Sequence, residues 1–220
     1  MNRNKRYSRQ HGFTLIELLM VVFLLSIVVG AVFSQIERAQ VRYRVEDQKV
    51  DLTQQEREFI DQFTRDLHQA GYPSASILGS SGTGNQVALG LTSMSSTDLI
   101  MEGDVDGDGA VERVEYSYFD GTGWPGPGPN PCPCVRRNSV PKGSAGPAQN
   151  FTQVQGVIGP SIFVALNTTG QTLTLPLSPA DLKNTKAVQI NLTTQGTAQD
   201  NDTHKSIQVS MTGMARLVNN

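Results

Sequence analysis

Three groups of residues in this chain have types and spacings that could do chemistry. The first is Gly12, Phe13 and Glu17, in the run Arg9-Gln10-His11-Gly12-Phe13-Thr14-Leu15-Ile16-Glu17. A glycine at this point gives a protease no side chain to work around. Cleavage after it would create a new ammonium on Phe13. Glu17 stands inside an apolar run that continues to Phe33. An acid at the centre of a spanning helix costs roughly 2.5–3.5 kcal/mol on insertion scales, so it calls for a function and a partner.

The second group is Asp104-Val105-Asp106-Gly107-Asp108-Gly109-Ala110-Val111-Glu112-Arg113-Val114-Glu115. Acids and a central glycine fall where a twelve-residue calcium loop needs them. Asp104, Asp106, Asp108 and Glu115 would supply carboxylate oxygens, Ala110 its carbonyl, and Glu112 a contact through water. The flanks, 99–101 and 111–118, read as strands rather than helices. That keeps a second reading open, an aspartate-glycine β-turn without metal. Three aspartates in one turn repel one another, which favours a cation. Calcium is therefore an optional ligand, and no cofactor is required.

The third group is Cys132-Pro133-Cys134, which holds both cysteines of the chain. A local disulfide, two free thiols and a bond to another chain all fit. The local disulfide is preferred. Two thiols are too few for structural zinc, which takes four ligands. The chain shows no nucleophile–base–acid spacing, no phosphate-binding glycine loop and no metal-hydrolase helix. His11, His68 and His204 have no catalytic spacing, so a non-enzymatic role is expected.

The elements that must position these groups can be read from pattern. The 220 residues carry a net charge of −2, which gives no reason to expect nucleic-acid binding. The charge is uneven: Arg3, Lys5, Arg6 and Arg9 precede the apolar run with no acid among them. That fits a cytoplasmic leader under the positive-inside rule. Residues 13–33 are apolar except for Thr14, Glu17, Ser26 and Gly30. At about 1.5 Å per residue they cross one bilayer core of about 30 Å.

Residues 12–22, Gly-Phe-Thr-Leu-Ile-Glu-Leu-Leu-Met-Val-Val, resemble the signature of type IV prepilins. The resemblance implies a prepilin peptidase that cuts between Gly12 and Phe13 and methylates the new amino terminus. It implies assembly with other pilins in a helical filament, where Glu17 of one subunit pairs with the Phe13 ammonium of its neighbour. It also implies a single-pass protein of a bacterial inner membrane, N-terminus cytoplasmic and head periplasmic, later carried in an extracellular pilus.

Helical sequence continues without proline to residue 70. Leu52, Phe59, Phe63, Leu67 and Ala70, with Ile60 beside them, place an apolar stripe on one face of a charged helix. His68 is expected at its periphery. Gly71 and Pro73 end the helix. The stretch Arg65-Asp66-Leu67-His68-Gln69-Ala70-Gly71-Tyr72 is similar to the helix ending of PilW-like minor pilins and of the J pseudopilin of type II secretion. β-Branched runs between turn residues then predict strands near 86–91, 98–102, 110–119, 134–138, 151–157, 162–167, 187–194 and 206–217. Trp124 lies in a proline-glycine loop, as a lid over the core or an exposed contact.

The expected fold is α+β and pilin-like: one long N-terminal helix, half transmembrane and half amphipathic, packed on a C-terminal antiparallel sheet. The expected divisions are a leader at 1–12, a membrane and filament-core helix at 13–34, an amphipathic helix at 35–71 and a β-rich head at 72–220. The implied function is a structural minor pilin of a type IV pilus. The alternatives are a minor pseudopilin of type II secretion and a calcium-dependent adhesin at the pilus tip.

Overall fold

The computed structural model describes residues 12–79, 84–122, 132–144, 151–199 and 205–218. The leader up to His11, and Trp124 with most of its loop, lie outside the described residues, as does His204. The first element is helix α1, Leu15–Gln69. By their contacts the residues divide into two units, 1–44 and 45–220.

In the first unit, α1 carries the apolar run. Its large side chains from Leu15 to Phe33 are all exposed, and it is long and apolar enough to cross a membrane. No proline interrupts it. The hydroxyl of Ser26 donates to the carbonyl of Phe23 at 2.7 Å, so this polar group is satisfied within the helix.

In the second unit the stripe is the core face of α1. Leu52, Phe59, Phe63, Leu67 and Ala70 are all buried. Phe59 and Phe63 meet Tyr116 edge-on, with ring centroids 5.7 and 5.3 Å away, and Phe63 stacks on Phe163 at 5.9 Å. Such ring pairs contribute about 0.5–1.5 kcal/mol each beyond the area they bury. Two polar residues share this face: Glu56 and Asp66 are as buried as their apolar neighbours.

Among the described residues, eight strands follow: β1 (Gly90–Met94), β2 (Asp98–Gly103), β3 (Glu112–Phe119), β4 (Cys134–Pro141), β5 (Phe151–Gln155), β6 (Phe163–Leu166), β7 (Ala187–Gln199) and β8 (Ser206–Arg216). All pair antiparallel with sequence neighbours, in two ladders ordered β1-β2-β3-β4-β5 and β6-β7-β8. One sheet was expected. Among the described residues, a bridge joins Val157 to Thr194 between the ladders, with Ile158 N–H donating to the Thr193 carbonyl and Gln195 N–H to that of Gly156, and Phe163 N–H of β6 donates to the Ser96 carbonyl between β1 and β2.

The first strand starts later than the pattern at 86–91 suggests. Ala88 N–H donates to the Pro73 carbonyl and Leu89 N–H to the Glu102 carboxylate. The first amide is tied to the turn after α1 and the second to a side chain of β2, so neither is free for the ladder. Two short helices were not expected, α2 (Ala75–Leu78) and α3 (Pro179–Asn184). The second has a readable start, since the Ser178 hydroxyl accepts from Asp181 N–H at 3.2 Å and Pro179 opens the turn.

Gly103 is where β2 runs against the end of α1. It bridges to Ala70, and a Cβ added there would collide with the Gln69 carbonyl. Only glycine permits that approach.

Candidate functional site

Gly12, Phe13 and Thr14 precede the first helical residue. Nothing lies within 4 Å of the position a Gly12 Cβ would take, and Phe13 is 81% exposed. The peptide bond between them lies outside the helix that follows.

Glu17 is engaged within its own chain. Its Oε2 accepts from the Thr14 backbone N–H and from the Thr14 hydroxyl, both at 3.2 Å. The Thr14 Oγ1 in turn accepts from Glu17 N–H at 3.3 Å. This reciprocal pair is a capping box, and it satisfies backbone donors that an α-helix leaves open at its start. The Thr-x-x-Glu spacing is visible in the sequence. Glu17 therefore has a local partner whether or not a second subunit is present.

Residues 7–33 match the family model for the prokaryotic N-terminal methylation motif. The match supports a type IV pilin-like protein, a pilin or a pseudopilin. Proteins with this motif are structural, and the motif implies processing by prepilin peptidase and assembly with other pilins. With the apolar N-terminal helix, it fits a single-pass anchor in the inner membrane. A search of curated proteins gives no significant match.

Away from the methylation motif, the acidic loop between β2 and β3 draws some of its expected ligands together and separates others. Asp104, Asp106 and Asp108 each place a carboxylate oxygen within 4.8 Å of the others. Asp104 is buried, and the other two are exposed. The loop's own amides meet these acids: Gly107 and Gly109 N–H donate to Asp104, Asp108 N–H to Asp106 and Ala110 N–H to Asp108. Glu112 lies at the base of the loop, its Oε2 accepting from Val105 N–H at 3.0 Å. Burial holds its carboxyl above the usual range, and the charges of Asp106, Asp108 and Asp104 add to that.

Glu115 is elsewhere. The segment after the loop is β3, not a helix, so successive side chains alternate faces and each residue advances about 3.3 Å. Glu112 shares a face with buried Val114 and Tyr116, and Glu115 is on the other. It sits opposite Ile100 and Asn138 and pairs with Arg113 at 3.3 Å on the surface. The acids grouped at the loop are thus Asp104, Asp106 and Asp108, with Glu112 below them.

Cys132 and Cys134 are joined in a disulfide, Cα atoms 4.3 Å apart. Cys134 opens β4 and is buried. The guanidinium of Arg136 lies 3.7 Å from the centre of the Phe119 ring, a cation–π contact, and its Nη2 is 3.9 Å from Cys132 Sγ. Cys132, just before β4, lines a cavity of about 420 Å³ together with Gln48, Gln55 and Gln195.

Asp66, from the helix ending noted in the sequence, fastens α1 to the sheet. Its Oδ2 accepts from the Tyr116 hydroxyl and from Arg137 Nε, both at 2.7 Å, and its Oδ1 from Gln62 Nε2 at 2.6 Å. Burial, then the Asp66 charge, push the Tyr116 phenol far above its usual range, so it remains a donor. Nearly three turns earlier in the helix, Glu56 Oε1 accepts from the Thr194 hydroxyl at 2.8 Å, and among the described residues Oε2 has no hydrogen-bond partner. Burial raises the Glu56 carboxyl. Neither residue was singled out for this role from sequence, although their helical spacing from Leu52, Phe59 and Phe63 gives them the same face.

Proposed function

We propose that this protein is a structural minor pilin, PilW-like, that is cut between Gly12 and Phe13, methylated on Phe13 and built into a type IV pilus or its priming tip. The observation that carries this reading is the methylation motif at 7–33, continuous with an apolar helical run that nothing within its own unit covers. A membrane covers that surface before assembly, and neighbouring pilin helices cover it afterwards.

Glu17 has two roles in this scheme. Within one chain it closes the capping box with Thr14. In the filament it lies next to the methylated ammonium on Phe13 of an adjacent subunit, and the pair neutralises a charge that lipid and protein both disfavour. Breaking one partner of a buried pair costs about 3–5 kcal/mol, enough to fix register. The test is incorporation of Glu17→Ala into filaments sheared from cells. Loss from the filament fraction, with processed protein still in the membrane, is expected; undiminished incorporation would refute the pairing. Deletion of the protein is expected to remove filaments and twitching. Blocked secretion of a folded substrate, with filaments intact, would instead assign it to type II secretion.

Calcium retention by the 104–112 loop is a second reading. It is supported by three carboxylates within 4.8 Å of one another and by a fourth, Glu112, that accepts from Val105 N–H at the base of the same loop. Calcium takes six to eight oxygens at about 2.3–2.6 Å, so carbonyls and waters would complete the set.

A further inference from the structure

The bridge between Cys132 and Cys134 adds little to what the backbone already holds. It closes a loop over a single residue, and a cross-link constrains the unfolded chain less as its loop shortens. Both cysteines are also held without it. Cys134 is paired on both sides, with Phe119 of β3 and Gln155 of β5. The Pro133 carbonyl, between the two cysteines, accepts from Val157 N–H at 3.1 Å. Opening the bridge would leave the two sulfurs near each other and in place to join again.

The two sulfurs are not equivalent. Cys134 is completely buried, whereas Cys132 is half-buried and lines the cavity of about 420 Å³. Of the two, Cys132 is the one that an incoming thiol can reach. Arg136 Nη2 lies 3.9 Å from Cys132 Sγ, within hydrogen-bond reach of sulfur. A guanidinium beside a cysteine favours the thiolate. Stabilising the reduced form makes a disulfide easier to open. Asp51, Gln55, Gln155 and Gln195 line the same cavity. Their amide and carboxylate groups offer the donors and acceptors that a peptide backbone uses.

We propose that this bridge is a reversible attachment site for a cysteine-bearing segment of a partner protein, held as a mixed disulfide on Cys132. The partner's thiol gives up its proton, and its thiolate attacks Cys132 Sγ. The bond to Cys134 breaks, its electron pair goes to Cys134 Sγ, and that sulfur takes up a proton. In the reverse step the Cys134 thiolate attacks Cys132 Sγ, restores the bridge and releases the partner's thiol. A second thiol completes the reduction instead: it attacks the partner's sulfur, leaves with it as a disulfide, and frees Cys132 as a thiolate beside Arg136. The inference stands apart from the filament reading: its failure would leave processing at Gly12 and pairing through Glu17 as they are.

The full chain in detergent, equilibrated with a capped glycine-cysteine-glycine tripeptide in mixtures of its thiol and disulfide forms, tests it. Alkylation of free thiols followed by peptide mapping is expected to find the tripeptide on Cys132 and the free thiol on Cys134. The fully reduced chain is expected to melt close to the bridged one. Arg136→Gln is expected to make reduction about tenfold less favourable, and Arg136→Lys to restore it. In Cys134→Ser, where no local bridge forms, Cys132 is expected to be alkylated at lower pH than free cysteine. A bridge that stays closed in millimolar thiol would overturn the proposal. So would attachment at Cys134, unfolding on reduction, an unchanged equilibrium in Arg136→Gln, or a Cys132 that titrates like free cysteine.

Discussion

The Tyr116 hydroxyl donates to the Asp66 carboxylate at 2.7 Å across 50 residues of sequence. Asp66 lies near the end of the buried face of α1, beside Leu67, and Tyr116 is the largest fully buried side chain among the described residues. Their bond ties the helix to the middle strand of the five-stranded ladder. Arg137, next door on β4, donates to the same oxygen, so one carboxylate holds a helix and two strands.

Removing that carboxylate should be severe. Asp66→Ala leaves Arg137, only 18% exposed, without its counter-charge and Tyr116 without an acceptor. Loss of one member of such a pair costs about 3–5 kcal/mol. Tyr116→Phe keeps the ring contacts and the ion pair, and should cost only about 0.5–1.5 kcal/mol. Urea unfolding of the two variants checks the order. Equal losses would show that the hydroxyl, and not the charge, holds the helix.

Glu56 should make stability depend on pH. Its folded carboxyl binds a proton more tightly than an unfolded glutamate does. Its contribution is therefore fully present below the ordinary glutamate range and is lost as pH rises through the raised value. Glu56→Gln keeps the acceptor for Thr194 and replaces one partnerless atom with another, so charge is the main change. A gain of about 1 kcal/mol corresponds to roughly 2–4 °C in a protein this size. Thermal melts should show that gain at neutral pH and none near pH 4. A variant that is less stable at both would contradict the assignment.

Thr14 and Glu17 can be separated by mutation. Thr14→Ala removes the cap and should cost the helix start about 1 kcal/mol, but it should leave filament incorporation near that of the parent chain. Glu17→Gln keeps an acceptor for Thr14 and removes the charge, and it should be lost from filaments. The amounts of each variant in sheared filaments and in membranes decide this. If Thr14→Ala is lost as completely as Glu17→Gln, the cap is the main function of the carboxylate.

Bulk at Gly12 should stop processing. Gly12→Val fills the open space before Phe13 with a branched side chain and should leave the leader attached. Intact-mass measurement of the membrane form would show the unshortened chain without the methyl group. A shortened, methylated product would move the cut away from this bond.

Calcium should stabilise the loop through the clustered aspartates and not through Glu115. Millimolar calcium should raise the melting temperature of the parent chain and of Glu115→Gln alike, and should leave Asp104→Asn or Asp106→Asn unmoved. Calorimetry without heat of binding would leave a turn held by its own amides.

Much of this fold was readable. Leu52, Phe59, Phe63, Leu67 and Ala70 repeat at helical spacing, and one helix face can bury them only in one way. Residues 187–194 and 206–217 alternate, and a strand turns alternate residues to one side. Seven of the eight strands overlap their predicted positions closely, because those signals are local. The capping box at Thr14 was equally local and needed only the four-residue spacing to be noticed.

The sequence by itself determined the Gly12-Phe13…Glu17 signature, the membrane-length run and the order of helix and strands, since each rests on residues near one another in the chain. Tertiary structure decided which acids are buried and which acids meet. Asp66 and Glu56 look like ordinary charges on a polar helix until Tyr116, Arg137 and Thr194 arrive from distant strands. Glu115 fits a twelve-residue spacing, yet the strand that follows the loop turns it to the opposite face from Glu112. That β8 is the last strand of its ladder also depends on strand order, and no local pattern along 206–216 encodes which neighbours a strand will have.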